Sequence, residues 1–215
     1  VTAALSIAPY ALDLLDGPEQ EGIGLGHGYV AVGEDDVVAL TPPGAPRMPN
    51  GIECELRVEA GERVRIGGGE LRARAGSVTA GPVWDARPRR RRHVRVVPFP
   101  TLDAAALLGW GAGLTPLGDD VLLGRLAIGG DGPATFEATT RLSRVLLRRA
   151  ALGELPEPAH TLLEDGDPRP LLGFGSTSGR GILLGLAERG PAGRNSFELV
   201  LPLPDGPARF EVSLC

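Results

Sequence analysis

Two adjacent carboxylates, Asp119 and Asp120, follow the stretch Gly109-Trp110-Gly111-Ala112-Gly113-Leu114-Thr115-Pro116-Leu117-Gly118 and precede the apolar run Val121-Leu122-Leu123-Gly124. The pattern predicts a glycine-rich loop that opens a helix, because glycine allows close backbone approach and Pro116 carries no N–H. Neighbouring helical residues point about 100° apart, so the two acids cannot act as one dyad on a single small atom. One is expected to cap the loop while the other faces a pocket as a catalytic base, a metal ligand or a group that orients a donor. Without a third spaced acid the pair makes a weak site for a hard cation, so no metal and no cofactor are expected.

The first N–H groups of such a helix have no partner inside it and carry the positive end of its dipole. Gly113, Thr115 and Gly118 are therefore candidates to bind an anion. The same phrase returns as Gly175-Ser176-Thr177-Ser178-Gly179-Arg180-Gly181-Ile182-Leu183-Leu184-Gly185-Leu186, which aligns on residues 113–126 with one-residue gaps near Gly118 and Arg125. Ser176, Thr177, Ser178 and Gly179 add hydroxyl and amide donors, and Arg180 could close on an anion as a fork. Two such helix starts facing one pocket would suit a carboxylate, a phosphate or a developing oxyanion. The plainer alternative is that the glycines only let helices pack. A serine nucleophile elbow is disfavoured, since the central place of the second loop holds Thr177.

The phrase Gly-Leu-Thr-Pro-x-Gly-Asp-Asp-x-Leu-x-Gly, with Gly-x-Thr-Ser-Gly further on, resembles the AllH-like family. That family contains a subunit associated with oxamate carbamoyltransferase in bacterial allantoin breakdown. The likeness extends to His27-Gly28-Tyr29, Pro49-Asn50-Gly51-Ile52, Trp84-Asp85 and Thr139-Thr140-Arg141-Leu142-Ser143. The resemblance implies transfer of a carbamoyl group between phosphate and the amide of oxamate, a small anionic substrate, and partner subunits of a carbamoyltransferase complex. It also makes His27 a candidate ligand-binding residue. Where the family carries His and Asp in the second loop this chain has Ser176 and Gly181, so roles of those two side chains do not carry over. The alternative to an enzyme subunit is a non-catalytic scaffold that docks partners.

Composition narrows the chemistry further. All 22 basic residues are arginine, which removes any Walker, Schiff-base or general-base lysine. With 27 acids the net charge is −5, which argues against nucleic acid as a partner despite the run Arg89-Arg90-Arg91-Arg92. That run lacks interleaved aromatics and reads as a solvated edge. Cys54 and Cys215 lack zinc spacing and fit free thiols in a reducing compartment. No apolar run approaches ~20 residues and no signal pattern opens the chain, so a cytoplasmic protein without a membrane partner is expected.

The elements that must position these groups divide the chain. Residues 2–15 read as a short helix or strand, and Tyr29-Val30-Ala31-Val32, Gly33-Glu34-Asp35-Asp36 and Val37-Val38-Ala39-Leu40 as a hairpin. Short alternating stretches follow at 53–57, 63–66 and 71–75. After Pro100 the period becomes helical, with a helix from about 119 to 128. Asp131 and Pro133 suit a second start, and the apolar spacing at Leu142, Val145 and Leu146 predicts helix as far as Ala151. Gly190-Pro191 ends the last helix, and residues 204–207 turn a final hairpin. The expected fold is α+β: a β-rich small barrel or sandwich over residues 1–100, a mainly helical glycine-loop region over 101–192, and a terminal hairpin over 193–215 that rejoins the N-terminal sheet.

Overall fold

The computed structural model describes residues 1–98, 103–189, 196–203 and 206–214. Gly190-Pro191, the turn residues Pro204 and Asp205, and Cys215 lie outside the described residues, but the last helix does not reach Gly190: it ends at Gly185, and Ala187–Arg189 is a strand because it pairs with Val94–Val96. The chain forms two compact units, Val1–Ala86 and Arg87–Cys215. The β-rich unit thus ends before residue 100.

The first unit is built on one sheet. β1 (Thr2–Ala3) and β2 (Ser6–Ile7) precede α1 (Pro9–Asp16), then come β3 (Gln20–Gly26), β4 (Tyr29–Val32), β5 (Asp36–Thr41), β6 (Gly51–Glu53), β7 (Arg63–Gly67), β8 (Glu70–Ala73) and β9 (Gly76–Thr79). Residues 2–15, read as helix or strand, hold both, because Pro9 suits the first helical turn and lacks a ladder N–H. The order β1-β9-β8-β7-β3-β4-β5-β6-β2 puts two halves of a single segment at opposite ends of the sheet. Between them, the Ala4 N–H donates to Thr79 O on one side and the Leu5 N–H to Glu53 O on the other. The sheet therefore curls round on itself like a small barrel, which removes its open edges. Val30, Val32, Val38, Ile52, Ile66 and Leu71 fill the interior together with Leu15 of α1.

The second unit contains β10 (Val94–Val97), α2 (Ala104–Leu107), α3 (Leu117–Ala127), α4 (Arg141–Ala150), α5 (Glu157–Asp165), α6 (Arg169–Leu172), α7 (Ser178–Gly185), β11 (Ala187–Arg189), β12 (Ser196–Leu203) and β13 (Gly206–Leu214). Contrary to expectation, the terminal hairpin does not extend the first sheet: the order here is β11-β10-β13-β12. The reason is local. Val94 and Val96 are buried and their strand has two edges to satisfy, which β13 meets antiparallel and β11 parallel. The first sheet, curled onto its own ends, offers no long edge.

Among the helices, α3 is buried over nine of its eleven residues, Asp119 and Asp120 included, and so runs through the core of its unit. In contrast, α4 buries Leu142, Val145, Leu146 and Ala150 and turns Arg148 to solvent. It starts at Arg141, with the Thr140 hydroxyl accepting from the Ser143 N–H at 3.1 Å, so Thr140 rather than Asp131 is its cap, and Pro133 does not stand at its first turn. Arg89 to Arg92 are exposed, and the backbone of the run is tied to α5 by Arg92 N–H to Leu163 O at 2.9 Å. Among the described residues no helix is long and apolar enough to cross a membrane.

Candidate functional site

The two glycine loops come together at the start of α3 and α7. These helices run in the same direction, since Leu117 lies against Gly181 near their beginnings and Gly124 against Gly185 near their ends. Thr115 Oγ1 and Ser178 Oγ, one from each loop, are 3.2 Å apart. A repeat legible in sequence is thus a spatial pair. Two helix N-termini with their positive dipole ends meet at one place.

The adjacent acids divide their roles as their 100° separation requires. Because α3 begins at Leu117, two residues before the expected start, Asp119 is the third helical residue and reaches back over the loop. Its side chain accepts the Gly109 N–H at 2.7 Å and also the Thr139 hydroxyl. Asp119 therefore fastens the glycine loop to the strap that leads into α4. The Thr140 hydroxyl adds a bond to Leu114 O at 2.6 Å. Replacing Asp119 by Ala strands a half-buried amide and a half-buried hydroxyl, and is expected to lower the unfolding free energy in urea by about 2 kcal/mol. Asp119→Asn, which keeps one acceptor, is expected to lose about half as much.

Asp120 faces α7 instead. Its residue exposure is 2%, and one carboxyl oxygen, Oδ2, is buried without a hydrogen-bond partner among the described residues. Burial pushes its carboxyl up to about 8; the hydrogen bond from Ser178 opposes that shift, and the charge of Asp119 adds to it. At neutral pH this side chain is therefore mostly a neutral acid, able to donate a proton to a hydrogen bond. Thr115, Ser178 and Asp120 form a short polar chain leading inward from the half-buried hydroxyls.

Gly118 and Gly179 serve close packing, and their amides are already committed. A Cβ on Gly118 would lie 1.9 Å from Leu107 O and one on Gly179 1.6 Å from Leu171 O. The Gly118 N–H already donates to Trp110 O at 2.8 Å and the Gly179 N–H to Phe174 O at 2.9 Å. Gly113 is exposed, with open space at its Cβ position, and Ser176 and Arg180 are exposed while Thr177 is half-buried. His27 belongs to the barrel unit, where it borders a cavity. Sequence reasoning missed the anchoring by Gly109 and Thr139; the Thr139-Thr140 pair ahead of a helix was the only local signal for it.

Among the described residues no group of three or more His, Cys, Asp or Glu side chains is placed to hold a metal ion. Compared with known proteins, the chain matches no family model, no curated protein and no solved structure. Function has to be argued from the site itself.

Proposed function

We propose that the protein binds a small anionic substrate of carbamoyl-group metabolism at the junction of α3 and α7, as an AllH-like subunit of oxamate carbamoyltransferase type. The observation that carries this reading is Asp120: buried, short of one partner, and holding its proton near neutrality beside two hydroxyls and two helix starts. An ionised acid there would repel a carboxylate or phosphate; a neutral one donates to it. Carbamoyl transfer needs donors fixed before the charge develops more than it needs a nucleophile, and no lysine is available to supply them otherwise.

Calorimetric titration with carbamoyl phosphate and with oxamate tests the proposal. Affinity is expected to fall as pH rises through about 8, where Asp120 ionises. Asp120→Asn, which can donate an N–H, should bind with no pH step. Thr115→Val and Ser178→Ala should each weaken binding about tenfold. Wild-type protein that takes up neither anion at pH 6.5 would defeat the reading.

A non-catalytic scaffold is the second reading, favoured by the commitment of the Gly118 and Gly179 amides to backbone carbonyls. Under it neither anion gives heat, and partner subunits are recovered in stoichiometric amounts by affinity purification.

A further inference from the structure

The barrel unit holds a cavity of ≈ 610 Å³ at one place on its wall, lined by eleven residues from three connections and the strands beside them. Leu40, Val58 and Cys54 belong to the core cluster, and Leu56 packs against it, so the floor of the cavity is apolar. Burial holds the Cys54 thiol up, and the sulfur stays within 3.9 Å of Leu56 O, so it adds a soft, uncharged surface. His27, Glu55, Arg57 and Glu59 also line the cavity, and all four are exposed. No ion pair joins these opposite charges to one another among the described residues. The volume lies within the ordinary range of small-molecule sites.

His27 and Gly28 form the two-residue turn between β3 and β4, closed by Gly26 opposite Tyr29. His27 has φ 53, the only positive value among the described residues that are not glycine, and it stands between Gly26 at φ 83 and Gly28 at φ 80. Such a backbone conformation is uncommon for a residue with a side chain and is held here by the turn. Here Gly28 O accepts the Leu40 N–H at 2.6 Å, and a Cβ on Gly28 would come within 2.5 Å of Leu40 O. The turn is clamped to β5, and it sets an imidazole at the rim that a glycine would have set aside at lower cost.

We propose that this cavity is a binding site for a small amphipathic zwitterion, its apolar body on Leu40, Leu56 and Val58 and its ammonium and carboxylate groups at the charged rim. Unpaired charges of both signs around one apolar hollow suit a ligand that carries both signs itself. Arg57 and His27 meet the carboxylate; Glu55 or Glu59 meets the ammonium group. The site lies wholly in the barrel unit and does not depend on the anion site of the helical unit.

Three compounds with one apolar body and three head groups test this by calorimetry on the full chain at pH 7: L-phenylalanine, phenethylamine and 3-phenylpropanoate. Phenylalanine is expected to bind, and each singly charged analogue about tenfold more weakly. Absence of heat with all three, equal affinities, or preference for a singly charged analogue would overturn the proposal. Arg57 is exposed, so Arg57→Gln should fold and bring phenylalanine down about tenfold, toward phenethylamine. His27→Gly should raise Tm by relieving the strained φ yet weaken binding, a pair of opposite signs that a merely structural histidine would not give. Unchanged affinity in both variants would likewise overturn it.

Discussion

Gly185→Ala is expected to destabilise the protein by about 4 kcal/mol, although alanine is the better helix former by roughly 1 kcal/mol. Gly185 sits where α3 and α7 cross, and a Cβ there would lie 2.0 Å from Val121 O and 2.8 Å from Arg125 N. Gly124 faces it, with Ile182 O 2.2 Å from its own missing Cβ. The neighbours are helix backbone and cannot swing aside as a side chain would. Either the helices part and forfeit packing along their length, or the helix is distorted; both outcomes cost more than propensity returns. Gly113→Ala is the matched control, since nothing lies within 4 Å of its Cβ position and only its φ of +106 is strained. It should lose about 1 kcal/mol. Urea denaturation monitored by circular dichroism separates the two, and equal effects at Gly185 and Gly113 would refute the tight crossing.

Asp120→Asn is expected to stabilise the protein at pH 8 by several kcal/mol and to do little or slight harm at pH 4. The folded carboxyl titrates at about 8 and the unfolded one near 3.8. Between those values the unfolded chain has released a proton that the folded chain still holds, so stability falls as pH rises, by up to about 1.4 kcal/mol per unit. Above about 8 both states are ionised and the loss levels off. Asparagine has no proton to lose, and its curve through this window lacks the component due to this site. The difference between the two denaturation profiles isolates Asp120 from the other titrating groups. A difference that does not grow between pH 4 and 8 would show that Asp120 ionises normally in the folded protein. The same measurement bears on function, because an acid kept at such cost to stability, where asparagine would be cheaper, fits a site rather than a scaffold.

Much of the local structure could be read in advance. The hairpin from Tyr29 to Leu40 turns where predicted, with Val32 opposite Asp36, because two short valine-rich runs flank the polar turn residues Gly33-Glu34-Asp35. The glycine loop does open a helix, and the repeated phrase does make a second one. Boundaries were less legible: α3 begins two residues early because Pro116, not Asp119, ends the loop. α4 begins at Arg141, eight residues beyond Pro133, because Thr140 caps it while Asp131 makes no cap. The repeated glycine loop was ambiguous in principle between an anion cradle and a packing surface. Which applies depends on what stands opposite, and that is no property of either segment.

From sequence alone came most of the element types, though not the strand at Ala187–Arg189, together with the lysine-free chemistry, the different directions of Asp119 and Asp120, and the pairing of the two loops as candidates. These follow from interactions between residues a few places apart, or from residue identity itself. Tertiary structure alone decided that Asp119 anchors the loop through Gly109 and Thr139 while Asp120 is buried near Ser178, where desolvation raises its pKa. It likewise decided that the terminal hairpin pairs with β10. Desolvation and strand partnership depend on groups brought close from tens of residues away, so no local pattern can encode them.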